Sequence, residues 1–173
     1  MPKRRTTKKT LFYFEELSSW DKVTIGFYGV ASIVFLIYNY LGADEHKKDF
    51  LIFYAIFPQI FSYLFNYTSL RNLKSFFIWY GFGTLHIVFY FLVKNNGIYD
   101  NASGLLLNTV ILLLIYQVLR IISIKVQHQE LVLPARDGKD LFDNRSVTFL
   151  DFVLFMVYMG SLGGLTMLAI KYV

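Results

Sequence analysis

The chain has 173 residues, of which 55% are hydrophobic, 19% aromatic and 17% charged, with a formal net charge of +5. A soluble domain is about 45–50% apolar and about 25% charged, so this composition points to a membrane. With no cysteine and only three widely separated histidines, His46, His86 and His128, the sequence excludes disulfides, thiolate chemistry and Cys-based zinc or iron–sulfur sites, and it carries no paired-His metal motif.

The first residues hold Lys3, Arg4, Arg5, Lys8 and Lys9. This basic character is a local tail suited to anionic lipid, and it argues against a nucleic-acid surface. The segment "LFYFEELSSWDK", Leu11 to Lys22, reads as interfacial, with Trp20 at headgroup depth and Ser18 paired with Asp21 as a helix cap. No small-residue cleavage site follows the first apolar run, so a cleavable signal is not expected. Residues 1–22 are therefore expected to be a basic cytoplasmic tail and interfacial segment. Residues 23–173 are expected to form a transmembrane helix bundle with a cytoplasmic loop at 124–147.

A membrane-crossing helix needs about 20 mostly apolar residues. Five blocks approach this: Val23–Gly42, Phe50–Tyr67, Phe76–Val93, Leu105–Ser123 and Thr148–Ile170. The expected fold is thus all-α, a polytopic bundle of five spans. Pro58 interrupts the second block and predicts a kink, and a re-entrant second segment would leave four spans. Lys and Arg gather at one set of span ends. Lys22, Arg71, Lys74, Arg120 and Lys125 join the tail and the loop on that side, while Lys47, Lys48, Lys94 and Lys171 stand on the other. This bias predicts a cytoplasmic N-terminus and an external C-terminus. The abundance of Lys, Asn, Ile, Phe and Tyr suggests an AT-rich genome and hence a bacterial inner membrane.

Polar or small residues at helical spacing mark the faces that helices turn toward each other. The second block gives Ala55, Gln59, Ser62 and Asn66. The third gives Trp79, Gly83, His86 and Tyr90. The fourth gives Thr109, Tyr116, Arg120 and Ser123. Gln59 and His86 fall near mid-span and are expected to hydrogen-bond across helices; the functional alternative is a proton or substrate path. Arg120 is expected either to reach the interface or to pair with Asp151. Gly160 and Gly164 form a G-x-x-x-G that allows close packing, against this chain or a second copy.

The loop "LPARDGKDLFDNRSVTFLDF" holds Asp137, Asp140 and Asp143 before Asp151. Their spacing fits neither an EF-hand nor the aspartate pattern of CDP-alcohol phosphotransferases, so no metal is expected. Thr148 and Asp151 read as a cap for the fifth block. Leu131, Leu133, Leu141 and Phe142 are candidate apolar handles for a partner. No catalytic constellation is evident and no cofactor is expected. The leading expectation is a non-catalytic subunit or assembly factor of a membrane complex, bound to lipid and to other subunits or copies of itself. The alternatives are a small oligomeric channel, transporter or membrane-perturbing effector, with Gln59, His86, Tyr90 and Tyr116 lining its path, and, more remotely, a lipid-modifying enzyme.

Overall fold

The structure, a computed structural model, describes residues 13–95, 98–134 and 146–172, and five α-helices build them. They are α1 (Ser19–Leu41), α2 (Lys47–Leu64), α3 (Leu73–Val93), α4 (Leu105–Gln127) and α5 (Phe149–Tyr172). Four of them, α1, α3, α4 and α5, are long and apolar enough to cross a membrane. The shorter α2 has 18 residues, about 27 Å of rise. Lys47, Lys48, Asp49, Pro58, Gln59 and Ser62 make it the least apolar of the five.

Local signals set the helix starts. Ser18 and Asp21 form a reciprocal capping box: the Asp21 N–H donates to Ser18 Oγ at 3.1 Å, and the Ser18 N–H to Asp21 Oδ2 at 2.9 Å. This starts α1 at Ser19, four residues before the block beginning at Val23. Asn72 opens α3 by accepting from the Lys74 N–H at 3.1 Å. Thr148 and Asp151 repeat the reciprocal box at α5, with bonds of 3.2 and 2.9 Å.

Ring contacts give the directions. Along α1 and α2, Trp20 meets Phe61, Tyr28 meets Tyr54 and Tyr38 meets Phe50, so the two helices are antiparallel. Phe61 against Trp79 and Tyr54 against Phe89 make α3 antiparallel to α2 in turn. Hydrogen bonds from Gln127 to Asp151 and from Asn101 to the Ile170 carbonyl run α5 antiparallel to α4. The chain therefore traverses the bundle back and forth. α2 takes a full traverse, beginning at one end with Lys47 and finishing at the other beside the start of α3.

The two ends differ. The proximal end holds residues 13–21, 65–75, 117–134 and 146–151, and the distal end holds residues 39–48, 98–105 and 169–172. At the distal end the Tyr99 hydroxyl donates to Asn39, and Lys47 pairs with Asp44 at 2.8 Å.

α4 is the axis of the core, with 56% of its apolar stretch buried against 22% for α1 and 17% for α5. Gly83 lets α3 approach it: a Cβ there would meet Val110 Cγ2 at 2.8 Å. Outward faces are apolar, as with Val23, Phe27, Val30, Ile33 and Ile37 on α1. An apolar groove of about 440 Å³ runs along the outer side of α2 beside Phe53, Ile56, Phe57 and Ile60.

The segment after α4 departs from the sequence expectation. Leu131, Val132 and Leu133 are 1%, 1% and 6% exposed, so Leu131 and Leu133 are core residues of this bundle and not handles for a partner. His128 takes a left-handed conformation (φ 54°), which turns the chain back onto the bundle. The burial of three consecutive apolar side chains drives that return. Asp137, Asp140, Leu141, Phe142 and Asp143 lie outside the described residues.

Candidate functional site

The middle of the bundle is polar, and Pro58 is its origin. Having no N–H, it leaves the Tyr54 carbonyl without its helical donor. The Tyr28 hydroxyl from α1 lies 3.3 Å from that carbonyl. The same hydroxyl is 2.6 Å from His86 Nε2 on α3, and His86 Nδ1 is 2.9 Å from Thr109 Oγ1 on α4. Thr109 Oγ1 also accepts from Gln59 Nε2 at 3.3 Å, and Gln59 Nε2 donates to the Leu105 carbonyl at 2.8 Å. Ser32 and Tyr54 exchange a hydroxyl bond at 2.8 Å. Four helices thus meet at one buried network centred on His86, which is 0% exposed.

Gln59 and His86, expected to bond directly, instead share Thr109. The two side chains approach it from different helices, and its hydroxyl is the atom between them.

His86 has hydroxyls on both ring nitrogens, so two tautomers satisfy the geometry. In one, Tyr28 donates to Nε2 and the Nδ1–H donates to Thr109. In the other, the Nε2–H donates to Tyr28, Tyr28 donates to the Tyr54 carbonyl, and Thr109 donates to Nδ1. Aromatic rings wall the network in: Tyr54 stacks on Tyr28 at 5.5 Å and Phe82 meets it edge-on at 5.1 Å. Tyr90, expected on the same face, is half-buried nearer the distal end, against Phe91 and Lys94. Phe89 takes the buried position in its place.

A second polar group closes the proximal end. Arg120, wholly buried, makes a two-pronged ion pair with Glu130, both bonds 2.8 Å long. Arg120 is buried inside the proximal end, and its carboxylate partner is Glu130 rather than the expected Asp151. The cause is the turn at His128, fixed by a bond from Ser123 Oγ to the Gln129 carbonyl at 3.0 Å. Arg71 joins by donating to the Leu131 carbonyl at 2.9 Å, with its Nε 3.9 Å from Glu130. Tyr116 donates to the Tyr67 carbonyl at 2.6 Å. A lone buried charge in hydrocarbon is costly, and pairing with good geometry is what makes Arg120 tolerable there.

The segment before α1 lies across this cluster. Leu73 N–H donates to the Tyr13 carbonyl at 3.1 Å, and Asn72 Nδ2 to the Glu15 carbonyl at 3.0 Å. The Arg120 guanidinium stands 5.8 Å from the Tyr13 ring. Burial pushes the Tyr13 hydroxyl up to about 12, against the opposing pull of Arg71.

Asp151, also wholly buried, accepts from Gln127 Nε2 at 2.8 Å and from Thr148. It ties α5 to α4 at the proximal end. Gly160 and Gly164 are placed differently from an internal packing face: a Cβ at either, or at Gly163, meets nothing within 4 Å among the described residues. Their side of α5 looks away from this chain.

Sequence reasoning missed Tyr28, Tyr54 and Glu130. No inward stripe was traced along the first block, yet the spacing Asp21–Thr24–Tyr28–Ser32 carried the signal of a polar face. Among the described residues no group of three His, Asp or Glu side chains is arranged to hold a metal ion. No protein-family model, curated protein or solved structure matches the chain.

Proposed function

We propose that this chain is a small five-span integral membrane protein acting as a non-catalytic subunit or assembly factor of a membrane complex. The observation that carries the reading is the open glycine face of α5. Gly160, Gly163 and Gly164 lie on the helix that, of the four long apolar ones, has the least buried stretch, and no described residue stands within 4 Å of a Cβ built at any of them. In lipid, helices associate by close backbone approach rather than by hydrophobic transfer, and such a face is where a second transmembrane helix fits. The internal polar groups support the same reading. His86 and Arg120 are held by partners within the fold, which favours a scaffold over a reactive centre.

The five-span topology rests on the full traverse of α2. The orientation rests on the proximal end, where Lys22, Arg71, Lys74, Arg120 and Lys125 join the basic tail, so this end belongs in the cytoplasm and the C-terminus outside. The setting proposed is a bacterial cytoplasmic membrane, with the basic tail against anionic lipid.

Native mass spectrometry of the full chain, released from mild detergent, tests the subunit reading. A reproducible stoichiometric complex, with copies of itself or with other membrane proteins, is expected. A purely monomeric particle overturns it. Reagents that label cysteines from one side only, applied to Ser146→Cys and Tyr172→Cys in a chain that has no cysteine of its own, test the orientation; labelling of both from the same side removes the five-span topology.

A further inference from the structure

The end of α2 beyond Pro58 and the turn after it carry polar atoms that no group among the described residues satisfies. Gln59 Oε1, Ser62 Oγ, Tyr63 OH and both carboxamide atoms of Asn66 are buried without a hydrogen-bond partner in the protein. The four residues are only 1%, 3%, 1% and 0% exposed. Gln59, Ser62 and Tyr63 lie on the last turns of α2, and Asn66 stands two residues past its end. Gln59 and Ser62 share a face of α2, and the Asn66 N–H closes the end of the helix on the Phe61 carbonyl at 3.1 Å, which holds Asn66 beside that last turn. Natural interiors leave few buried polar groups unpaired, and five such atoms in eight residues need an occupant.

We infer that this seam holds a column of bound water, linking Asn66 at the proximal end to the Gln59–Thr109–His86 network at mid-bundle. The atom set selects the ligand. Gln59 Oε1 and Asn66 Oδ1 only accept, Asn66 Nδ2 only donates, and the Ser62 and Tyr63 hydroxyls do either. Water satisfies both kinds of group at once. A cation would leave the Asn66 Nδ2 donor unmatched and would lie next to Tyr67, over whose ring the Arg71 guanidinium already sits at 5.3 Å. The upper end is joined to His86 through Gln59 Nε2 and Thr109 Oγ1. The lower end is shut from solvent, since Asn66 and Tyr67 are fully buried. The column is thus a closed hydrogen-bonded line from the proximal end to the histidine. It does not rest on the subunit reading.

The test is water–protein magnetisation transfer on the full, Asn-15N-labelled chain in detergent micelles, recorded in the rotating frame so that the sign separates proximity from proton exchange. The Asn66 carboxamide is assigned by its loss in Asn66→Thr. Proximity cross-peaks between that carboxamide and water support the column. Cross-peaks to protein and detergent protons alone overturn it. If Asn66→Thr does not fold, Ser62→Ala decides by melting. A dry, orphaned hydroxyl is better removed, so a raised Tm overturns the column, whereas an unchanged or lowered Tm supports it.

Discussion

α1 and α5 are the two outermost helices, and the same device fixes each of them to α2. Each opens on a hydroxyl residue that caps a buried aspartate, Ser18 with Asp21 and Thr148 with Asp151. Seven residues after the aspartate, each inserts a tyrosine that stacks on a tyrosine of α2 and lies against an α2 carbonyl. Tyr28 stacks on Tyr54 at 5.5 Å and reaches the Tyr54 carbonyl at 3.3 Å. Tyr158 stacks on Tyr63 at 3.7 Å and donates to the Gln59 carbonyl at 2.9 Å.

The difference lies in what surrounds the device. The carbonyl facing Tyr28 is one that Pro58 has freed, and the same hydroxyl reaches His86. The carbonyl facing Tyr158 already serves the α-helix, so its bond is an addition. α5 otherwise packs closely along α4 and the Asp100–Gly104 turn. α1 reaches the bundle through large rings at Trp20, Tyr28 and Phe35. One outer helix is therefore placed by a few specific contacts at a polar centre. The other is placed by continuous packing, with its glycine side left outward.

The largest break in this comparison is His86→Ala. It removes the ring that joins α1, α3 and α4, opens a cavity, and leaves the Tyr28 and Thr109 hydroxyls short of a partner. A loss of about 2–4 kcal/mol is expected. SDS-driven unfolding in mild detergent measures it, and cross-linking between cysteines placed on α1 and α3 reports whether α1 detaches first. A change near zero would mean that the polar centre does not hold α1.

A smaller test sets the two tyrosines against each other. Tyr28→Phe leaves a His86 nitrogen or the Tyr54 carbonyl unmatched and is expected to cost about 1–2 kcal/mol. Tyr158→Phe keeps its stack on Tyr63 and loses only an added bond, so it is expected to cost about 0.6 kcal/mol, the average for a hydrogen bond between membrane helices. Equal losses in the same unfolding assay would mean that the two tyrosines hold their helices in the same way.

Much of this was legible in the residues, and what was not has definite causes. All five apolar blocks are helices with ends within about four residues of expectation, because length and hydropathy decide them. The faces Gln59–Ser62–Asn66 and Thr109–Tyr116–Arg120–Ser123 are buried, because polar groups in an apolar helix are driven inward. Partners were harder. The pairing of Arg120 with Glu130 depends on a left-handed turn at His128, a non-glycine residue that gives no composition signal for it. The meeting of Gln59 and His86 through Thr109 depends on the heights at which three helices pack, which periodicity alone does not fix. The tyrosines of α1 and α5 went unseen because inward-facing stripes were traced only along the second, third and fourth blocks.

The smallest effect on stability is expected where the effect on association is greatest. Gly160→Leu with Gly164→Leu adds side chains on the outward side of α5, where no described residue stands within 4 Å of an added Cβ. Leucine is the better helix former, so the isolated chain should unfold at the same denaturant level or slightly higher. A partner helix seated on that face would be pushed off by about the depth of a side chain, and van der Waals contact falls steeply with distance. Energy transfer between labelled copies in vesicles, with native mass spectrometry for other subunits, separates the two quantities. Lost association with stability retained would tie the glycine face to assembly, and would give α5 a role that α1, committed to the polar centre, does not share. Unchanged association would leave the glycines facing lipid, and the asymmetry between the two outer helices would then be one of packing alone.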